Sequence, residues 1–405
     1  MSAEAQSVQF KSSPFWRLMP AGMRKRWWLF RPFDWIARHW PTGNRGGLLV
    51  IRMDGIGDMV LFRNSLDHYA AAFGVAKSDI TVLGCESWGP VADQVFAGYR
   101  VVTINEHKYA RRAFYRFGVN LRIRRMAPAV TVSDAYFRRA LMADSLAWVA
   151  AAPRTVVSVP YINERTRAEY TWYLSQVEEI IDTGAYPIHE TERHAAFLKA
   201  VTGRDHRVET PRLIWAGSPP PAHIQAPYVV LNPGSTEFGR RWPLAQFQEL
   251  ARWLASLGYT VVFVGKTDEK AAPIKAGALS ENDRVIDMTG RTKLAELLDL
   301  IQRATLLVSN DTGPAHVGIG LSAKTVVIVG GGHFGCFVPY PEGVRPDHAR
   351  FVHRPMDCYH CFWRCHKREG PMQSFPCVAA VTMAEVQSAC VELVGADPVN
   401  MDPPA

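Results

Sequence analysis

TLLVSNDTGPAH, residues 305–316, reads as a strand, a turn and a helix start in immediate succession. Leu306, Leu307 and Val308 form a short apolar run, as a strand buried on both faces requires. Asp311, Thr312 and Gly313 then make a turn. Pro314 suits a first helical position, where its missing N–H would have had no partner anyway. Asp and Thr at such a point cap helices. They also suit an anion site, because the Thr312 and Gly313 amides would face a phosphate with the helix dipole behind them. His316 lies one turn in, where it could reach the same ligand; a lone helical histidine is more often structural.

The same strand–turn–helix unit recurs on both sides of this segment. YVVLNPGST (228–236) reads as a strand and turn, and a helix over 243–257 is entered through Pro243 and stopped by Gly258. YTVVFVG (259–265), RVIDMTG (284–290) and KTVVIVGGG (324–332) are further strands, with a helix over 293–304. Toward the N-terminus, GLLVIRM (47–53), DITVLG (79–84), RVVTIN (100–105), AVTVSD (129–134) and RTVVSV (154–159) read as strands. Helical patterns cover 59–73, 137–150 and 189–203. Strands alternating with helices predict an α/β fold with parallel sheets covered on both faces. AGSPPPAHIQAP, 216–227, has four prolines and reads as a linker. The chain therefore divides into a basic aromatic arm (1–45), a Rossmann-like domain (46–215), the linker, a second Rossmann-like domain (228–385) and a tail (386–405).

Composition fits that division. The 405 residues are 48% apolar and 21% charged, as in globular proteins. No apolar run approaches the roughly 18 residues of a membrane span, and the N-terminus lacks a signal-type apolar core, so a cytoplasmic protein is expected. The net charge of +8 is unevenly placed. Residues 1–50 hold eight Lys/Arg against two acids, and 108–125 hold seven against none. Such concentration points to anionic partners or to a solvated basic face. In the arm, Trp16, Trp27, Trp28, Trp35 and Trp40 alternate with Arg and Lys. That pattern suits a segment lying on anionic lipid, and equally an arm packed on its domain with Trp as core.

Four loops carry residues suited to chemistry, three of them at strand ends. LNPGSTEFGRRWP (231–243) combines a flexible Gly234 with Ser235, Thr236, Arg240 and Arg241, a set suited to a diphosphate. DGIGD (54–58) offers Asp54 and Asp58 as a general base or as helix-capping acids. GGGHFG (330–335) matches G-x-G-x-x-G formally. Pro339 and Pro341 preclude a long following helix and Arg350 stands where an acid is needed, so the dinucleotide reading fails; contact with a donor phosphate or sugar stays open. Cys358, Cys361, Cys365 and Cys377 have spacing close to metal patterns, with His360 and His366 as replacement ligands. A structural zinc, free thiols, disulfides and an iron–sulfur cluster are the alternatives.

Three blocks together resemble glycosyltransferase family 9, the heptosyltransferases. They are LLVIRMDGIGDMVLFRNSL, VVLNPGSTEFGRRWPLAQFQELARWL and GRTKLAELLDLIQRATLLVSNDTGPAHVGIGL, in family order, with likeness spanning roughly 47–385. The resemblance implies a GT-B type α/β fold, two Rossmann-like domains facing each other across a cleft that holds the active site. It implies an inverting transfer of a sugar, typically heptose from ADP-heptose, onto a lipopolysaccharide core or related cell-surface glycan, with no cofactor required for catalysis. Asp58 matches the family's proposed base. Asp311, Thr312, Gly313 and His316 match its donor segment, and Ser235, Thr236 and Arg241 its phosphate loop; Arg240 adds charge beside them. Thr292 falls where the family contacts the nucleotide.

The chain also departs from that pattern. Asp54 and Gly55 replace small hydroxyl residues. Gly265-Lys266-Thr267-Asp268 replaces a Gly-Ala-Glu form whose acid would hold the ribose, leaving Thr267 and Asp268 as the donor-binding candidates there. The expected partners are the nucleotide sugar, an anionic glycolipid or oligosaccharide acceptor and the inner-membrane surface on its cytoplasmic face. No nucleic acid is expected, and the chain is expected to be a monomer. A dehydrogenase lacks a fingerprint. A non-catalytic nucleotide-binding or membrane-associated assembly protein on the same fold is the alternative, which Asp58 and the full donor block argue against.

Overall fold

A computed structural model describes residues 13–267, 274, 279 and 281–395. It contains two six-stranded, wholly parallel sheets. The first holds β1 (Leu48–Arg52), β2 (Ile80–Cys85), β3 (Arg100–Ile104), β4 (Val130–Ser133), β5 (Arg154–Ser158) and β6 (Glu179–Ile181), in the order β3-β2-β1-β4-β5-β6. The second holds β7 (Tyr228–Asn232), β8 (Thr260–Phe263), β9 (Val285–Asp287), β10 (Leu306–Asn310), β11 (Thr325–Ile328) and β12 (Ala349–Val352), ordered β12-β11-β10-β7-β8-β9. Both orders are the doubly wound Rossmann order. The central strands β1, β7 and β10 are buried at every position, which is why they read as unbroken apolar runs. In each sheet the chain reverses winding beside its first strand, between β1 and β4 or between β7 and β10. Loops leaving the carboxyl ends of those strands therefore diverge and open a crevice.

Contacts group the chain into two compact units. One comprises Met1–Gly55, Ser65–Gly184 and Glu192–Arg207, and the other Ile56–Asn64, Ala185–Thr191 and Val208–Ala405. The segment after β1 thus belongs by its packing to the second unit, because Leu61 joins the cluster of Ala315, Ile319, Val327 and Val329. The long C-terminal stretch of the second unit begins at Val208, ahead of the proline-rich stretch. That stretch is tied down at its start: Trp215 Nε1 and the Ser218 N–H both donate to Asp299, at 2.7 and 3.0 Å.

The described part of the arm, from Ser13 on, is an integral part of the first unit. After a short helix α1 (Pro14–Leu18), α2 (Lys25–Arg38) buries Trp27, Phe30, Asp34 and Ala37, one face at helical spacing. Trp27 packs edge-on against Trp172. Asp34 accepts two 2.7 Å bonds from Arg116 and one of 2.6 Å from Asn120, both in the helix Ala113–Arg125. One member of the basic 108–125 run is therefore a buried structural cation, while Arg111, Arg112, Arg122 and Arg125 are exposed.

The helix expected over 137–150 starts only at Ala140, with a π-turn to Asp144, and continues as Ser145–Ala150. Arg138 is the reason. Its guanidinium is buried, bonding Asp144 (3.0 Å) and the Ala135 and Ser158 carbonyls, so the backbone there turns inward. The helix read over 59–73 is two, α3 (Ile56–Leu66) and Tyr69–Phe73.

Candidate active site

The loops following β7 and β10 are bonded into one frame. Asn232, ending β7, donates from Nδ2 to Ser309 Oγ (3.0 Å) and Thr312 Oγ1 (3.1 Å). Asn310, ending β10, donates to the Pro233 carbonyl (2.8 Å) and accepts from the Trp242 N–H (2.9 Å). Trp242 is itself fixed in the core by an Nε1 bond to the Val381 carbonyl (2.8 Å). Buried and mutually satisfied, this network holds the two turns in register.

Within the frame the two arginines do different work. Arg240 turns toward Asp311, with Nη2 3.1 Å from Oδ2, and also donates to the Asp311 carbonyl. Its guanidinium lies 4.6 Å over the Trp363 ring. Arg241 instead donates twice to the Ser235 carbonyl, at 3.0 and 2.7 Å, and so shapes the loop. Among the described residues, Ser235 Oγ and Arg240 Nε are buried and find no hydrogen-bond partner. Such atoms are costly unless a ligand or water meets them, and both lie in the loop suited to phosphate. Thr236 is exposed beside them.

The helix Gly313–Gly320 begins at Thr312 with Pro314 in its first turn. His316 is buried on it, Nε2 3.9 Å from Asp311 Oδ1 and Nδ1 3.4 Å from Tyr340 Oη. Burial lowers its pKa to about 4, against the pull of Asp311 and with help from Arg240. It is therefore neutral near pH 7 and offers a ligand hydrogen bonding, not charge.

The start of α3 abuts this helix. A Cβ on Gly57 would lie 2.7 Å from His316 Cδ2, and one on Gly313 would lie 3.2 Å from Ile56 Cβ. Glycine at both places permits the approach. Asp58 follows Gly57 in the first turn of α3 and is half-buried. Asp58 thus shares a unit with the 311–316 segment.

Thr267 packs against Gly290 at the ends of β8 and β9, where the Gly290 N–H donates to the Gly265 carbonyl (2.7 Å). Thr292 is half-buried just beyond. These residues occupy the same sheet edge as the phosphate loop, one and two strands farther out. Asp268 lies outside the described residues.

Sequence reading missed a buried network in the first unit. Arg52 pairs with Asp54 and with Asp134, both at 2.7 Å. Asp134 also accepts from Tyr69 (2.8 Å) and meets His194 Nδ1 at 3.0 Å. Burial pushes the Asp54 carboxyl up despite Arg52. Burial would raise Asp134 too, but Arg52, His194 and Tyr69 outweigh it and hold that carboxyl well below the usual range. Asp54 is thus tied into the network that fixes the root of the 54–58 loop. The visible signal was Asp134, an acid closing an apolar strand.

The glycine run serves packing. A Cβ on Gly331 would lie 2.2 Å from the Tyr359 ring, and one on Gly332 2.1 Å from that of Trp363. The His360 and Phe362 N–H groups donate to the Gly331 and Gly332 carbonyls, at 2.7 and 3.0 Å. These rings cover the glycine faces that a donor phosphate would have approached. His360, Phe362 and Trp363 all have left-handed backbones, each costing about 1–2 kcal/mol. Cys358, Cys361, Cys365 and Cys377 line one small cavity here with Tyr359, Trp363 and Phe375. None of the four is in a disulfide, and the Gly331 N–H points at Cys377 Sγ (3.4 Å). Among the described residues no three His, Cys, Asp or Glu side chains are gathered as a metal-ligand set. Trp363 links this loop to Arg240, a connection with no local sequence signal.

Residues 184–346 match the family model described as glycosyltransferase family 9 (heptosyltransferase). Over this segment the chain is similar to that family. The match contains the 231–243 loop and the 309–316 segment, and does not extend to Asp58 or the cysteine loop. Lipooligosaccharide heptosyltransferase 2 of Haemophilus influenzae is 32% identical over 111 residues, 26% of this chain and 32% of that protein. The chain thus spans about a third of the length of this curated relative. A family 9 glycosyl transferase from Veillonella parvula has a similar structure, with TM-score 0.66 and 18% identity over 86% of this chain and 97% of that one. So does the dodecameric iron-containing heptosyltransferase TibC of enterotoxigenic Escherichia coli, solved with ADP-D-β-D-heptose, with TM-score 0.51 and 16% identity over 87% and 77%. These structural likenesses are of fold, the two-domain α/β architecture of GT-B type.

Proposed function

We propose that this chain is a family 9 inverting transferase that moves heptose from ADP-heptose onto a lipopolysaccharide core or related cell-surface glycan. The observation that carries the reading is the packing of Ile56 and Gly57, just before Asp58, against the Gly313–His316 helix start, which also carries the Asp311–Arg240 pair; Ser235 Oγ, in the same frame, has no partner among the described residues. Asp58 takes the proton from an acceptor hydroxyl as its oxygen attacks the anomeric carbon, and the bond to the diphosphate breaks. Charge then builds on the leaving ADP. In this reading Arg240 and the amides of Thr312 and Gly313 stabilise it. The heptosyltransferase relatives and the ADP-heptose complex of TibC support this choice of donor. In this proposal the enzyme acts as a monomer at the cytoplasmic face of the inner membrane.

A thermal-shift panel tests the donor directly. ADP and ADP-sugars at about 100 times their Kd should stabilise the protein by about 2.7 kcal/mol. UDP and GDP compounds should leave the midpoint unmoved. A response to one of those instead overturns the adenine assignment, and no response to any of them overturns the donor site.

The four thiols around one cavity match a structural zinc in donor type, although the sulfurs are not drawn into a ligand set. We propose that they hold one ion that fixes the 358–377 loop and takes no part in sugar transfer. Purified protein should then contain about one equivalent of metal, lost in Cys361→Ser. Because this loop seats Trp363 beneath Arg240, the variant should also bind ADP about tenfold more weakly. TibC is described as iron-containing, so elemental analysis should resolve iron from zinc. Folded wild-type protein without metal ends the proposal.

A further inference from the structure

α2 is apolar on two opposite faces. The inward face, Trp27, Phe30 and Ala37 around the paired Asp34, is buried in the first unit. On the outward side Trp28, Leu29, Trp35 and Ile36 recur at helical spacing and stand 41–57% exposed. A helix apolar all round is normally buried all round; this one has half of its partners within its unit. Phe33 carries the outward surface onto the next helix, its ring 6.2 Å from that of Phe114, which is 85% exposed.

The exposed charges on α2 and at the start of the helix bearing Phe114 are cations. Residues 13–40 contain six Lys/Arg and a single acid, Asp34, which Arg116 already neutralises. Lys25 and Arg26 are exposed on α2, and Arg111 and Arg112 immediately precede the helix bearing Phe114. A second copy docking here in an isologous dimer would bring the same cations together and repel itself. An anionic lipid surface meets both requirements. Tryptophan prefers headgroup depth, and each nearby Lys or Arg is drawn to the anionic leaflet.

We propose that the outward face of α2, extended by Phe114, rests on an anionic bilayer surface. The rings enter the headgroup–acyl boundary and the helix lies in the plane of the membrane. No helix among the described residues is long and apolar enough to cross one. The proposal rests on the transferase reading only for its purpose, bringing the enzyme to a lipid-linked acceptor.

The test uses the full chain and cosedimentation with phosphatidylglycerol-containing vesicles. Binding is expected there and should fall at least about tenfold on pure phosphatidylcholine vesicles, in high salt, and in the triple variant Leu29→Ser/Trp35→Ser/Ile36→Ser. These side chains are exposed, so the melting midpoint and the ADP-induced shift should be unchanged. Equal partition of variant and wild type overturns the proposal. So does a lipid-free dimer that the variant dissociates, which would assign the face to a second copy. Vesicle binding without any nucleotide response would leave the surface standing and remove the function; the converse would do the reverse.

Discussion

Asp58→Asn is expected to lower turnover by about two to four orders of magnitude, the usual worth of a positioned general base. Nucleotide affinity should stay within about twofold, because the atoms assigned to the diphosphate lie elsewhere: Ser235, Arg240 and the amides of Thr312 and Gly313. The substitution keeps the shape and removes only the ability to accept a proton. Its structural cost is small. Asp58 stands in the first turn of α3, where an acid favours the helix dipole by about 0.3–1 kcal/mol. The fold should therefore survive, and loss of turnover could not be blamed on unfolding. Single-turnover rates and calorimetric ADP binding on the same preparation separate the two effects. Near-normal turnover would remove Asp58 as base. Equal loss of binding and turnover would make it part of the donor site instead. Asp311→Asn supplies the contrast. It weakens the partner of Arg240 and should act mainly on nucleotide affinity.

Much of this arrangement was legible in the residues, for identifiable reasons. Parallel strands buried on both faces must be apolar throughout, so LLVIR, YVVLN and LLVSN stand out. The loops that leave them carry small and charged residues, at the edge where ligands bind in open α/β sheets generally. β6 and β12 escaped notice: each is short, and most of their side chains are only half-buried, which leaves no apolar run to find. The remaining omissions are contacts between distant residues. Nothing near Gly57 announces that it faces His316, and nothing near Arg240 announces the Trp363 ring. Arg116 looked like one of seven surface cations until Asp34, 82 residues away, proved to be its partner. The arm offered two readings, lipid-facing or packed as core. The inward face of α2 realises the second, while its outward face keeps the residues that suggested the first.

Asp34→Ala is the substitution expected to do most damage to stability. Arg116 is fully buried, its guanidinium lying 4.6 Å over Phe30 and 4.4 Å over Tyr109. It also bonds the Leu141 carbonyl (2.8 Å) and Ser145. Removing the carboxylate leaves that cation enclosed without a counter-charge, and leaves the Asn120 amide short of an acceptor. Breaking one side of such a pair costs about 3–5 kcal/mol, a large share of a typical folding free energy. The damage should begin at the arm, since Asp34 is the polar anchor by which α2 docks. Trp27 fluorescence should shift toward solvent before the rest of the protein melts. The double variant Asp34→Ala/Arg116→Met decides what the pair itself contributes. An apolar side chain of similar length removes the stranded charge, and replacing both members of a buried pair is often near neutral. Recovery of most of the lost stability would mean that the single variant suffered from an uncompensated cation. No recovery would mean that the bonds to Asp34 hold the arm in their own right. A loss below about 1 kcal/mol for Asp34→Ala would refute the anchor, leaving the Trp27–Trp172 contact as what keeps α2 in place.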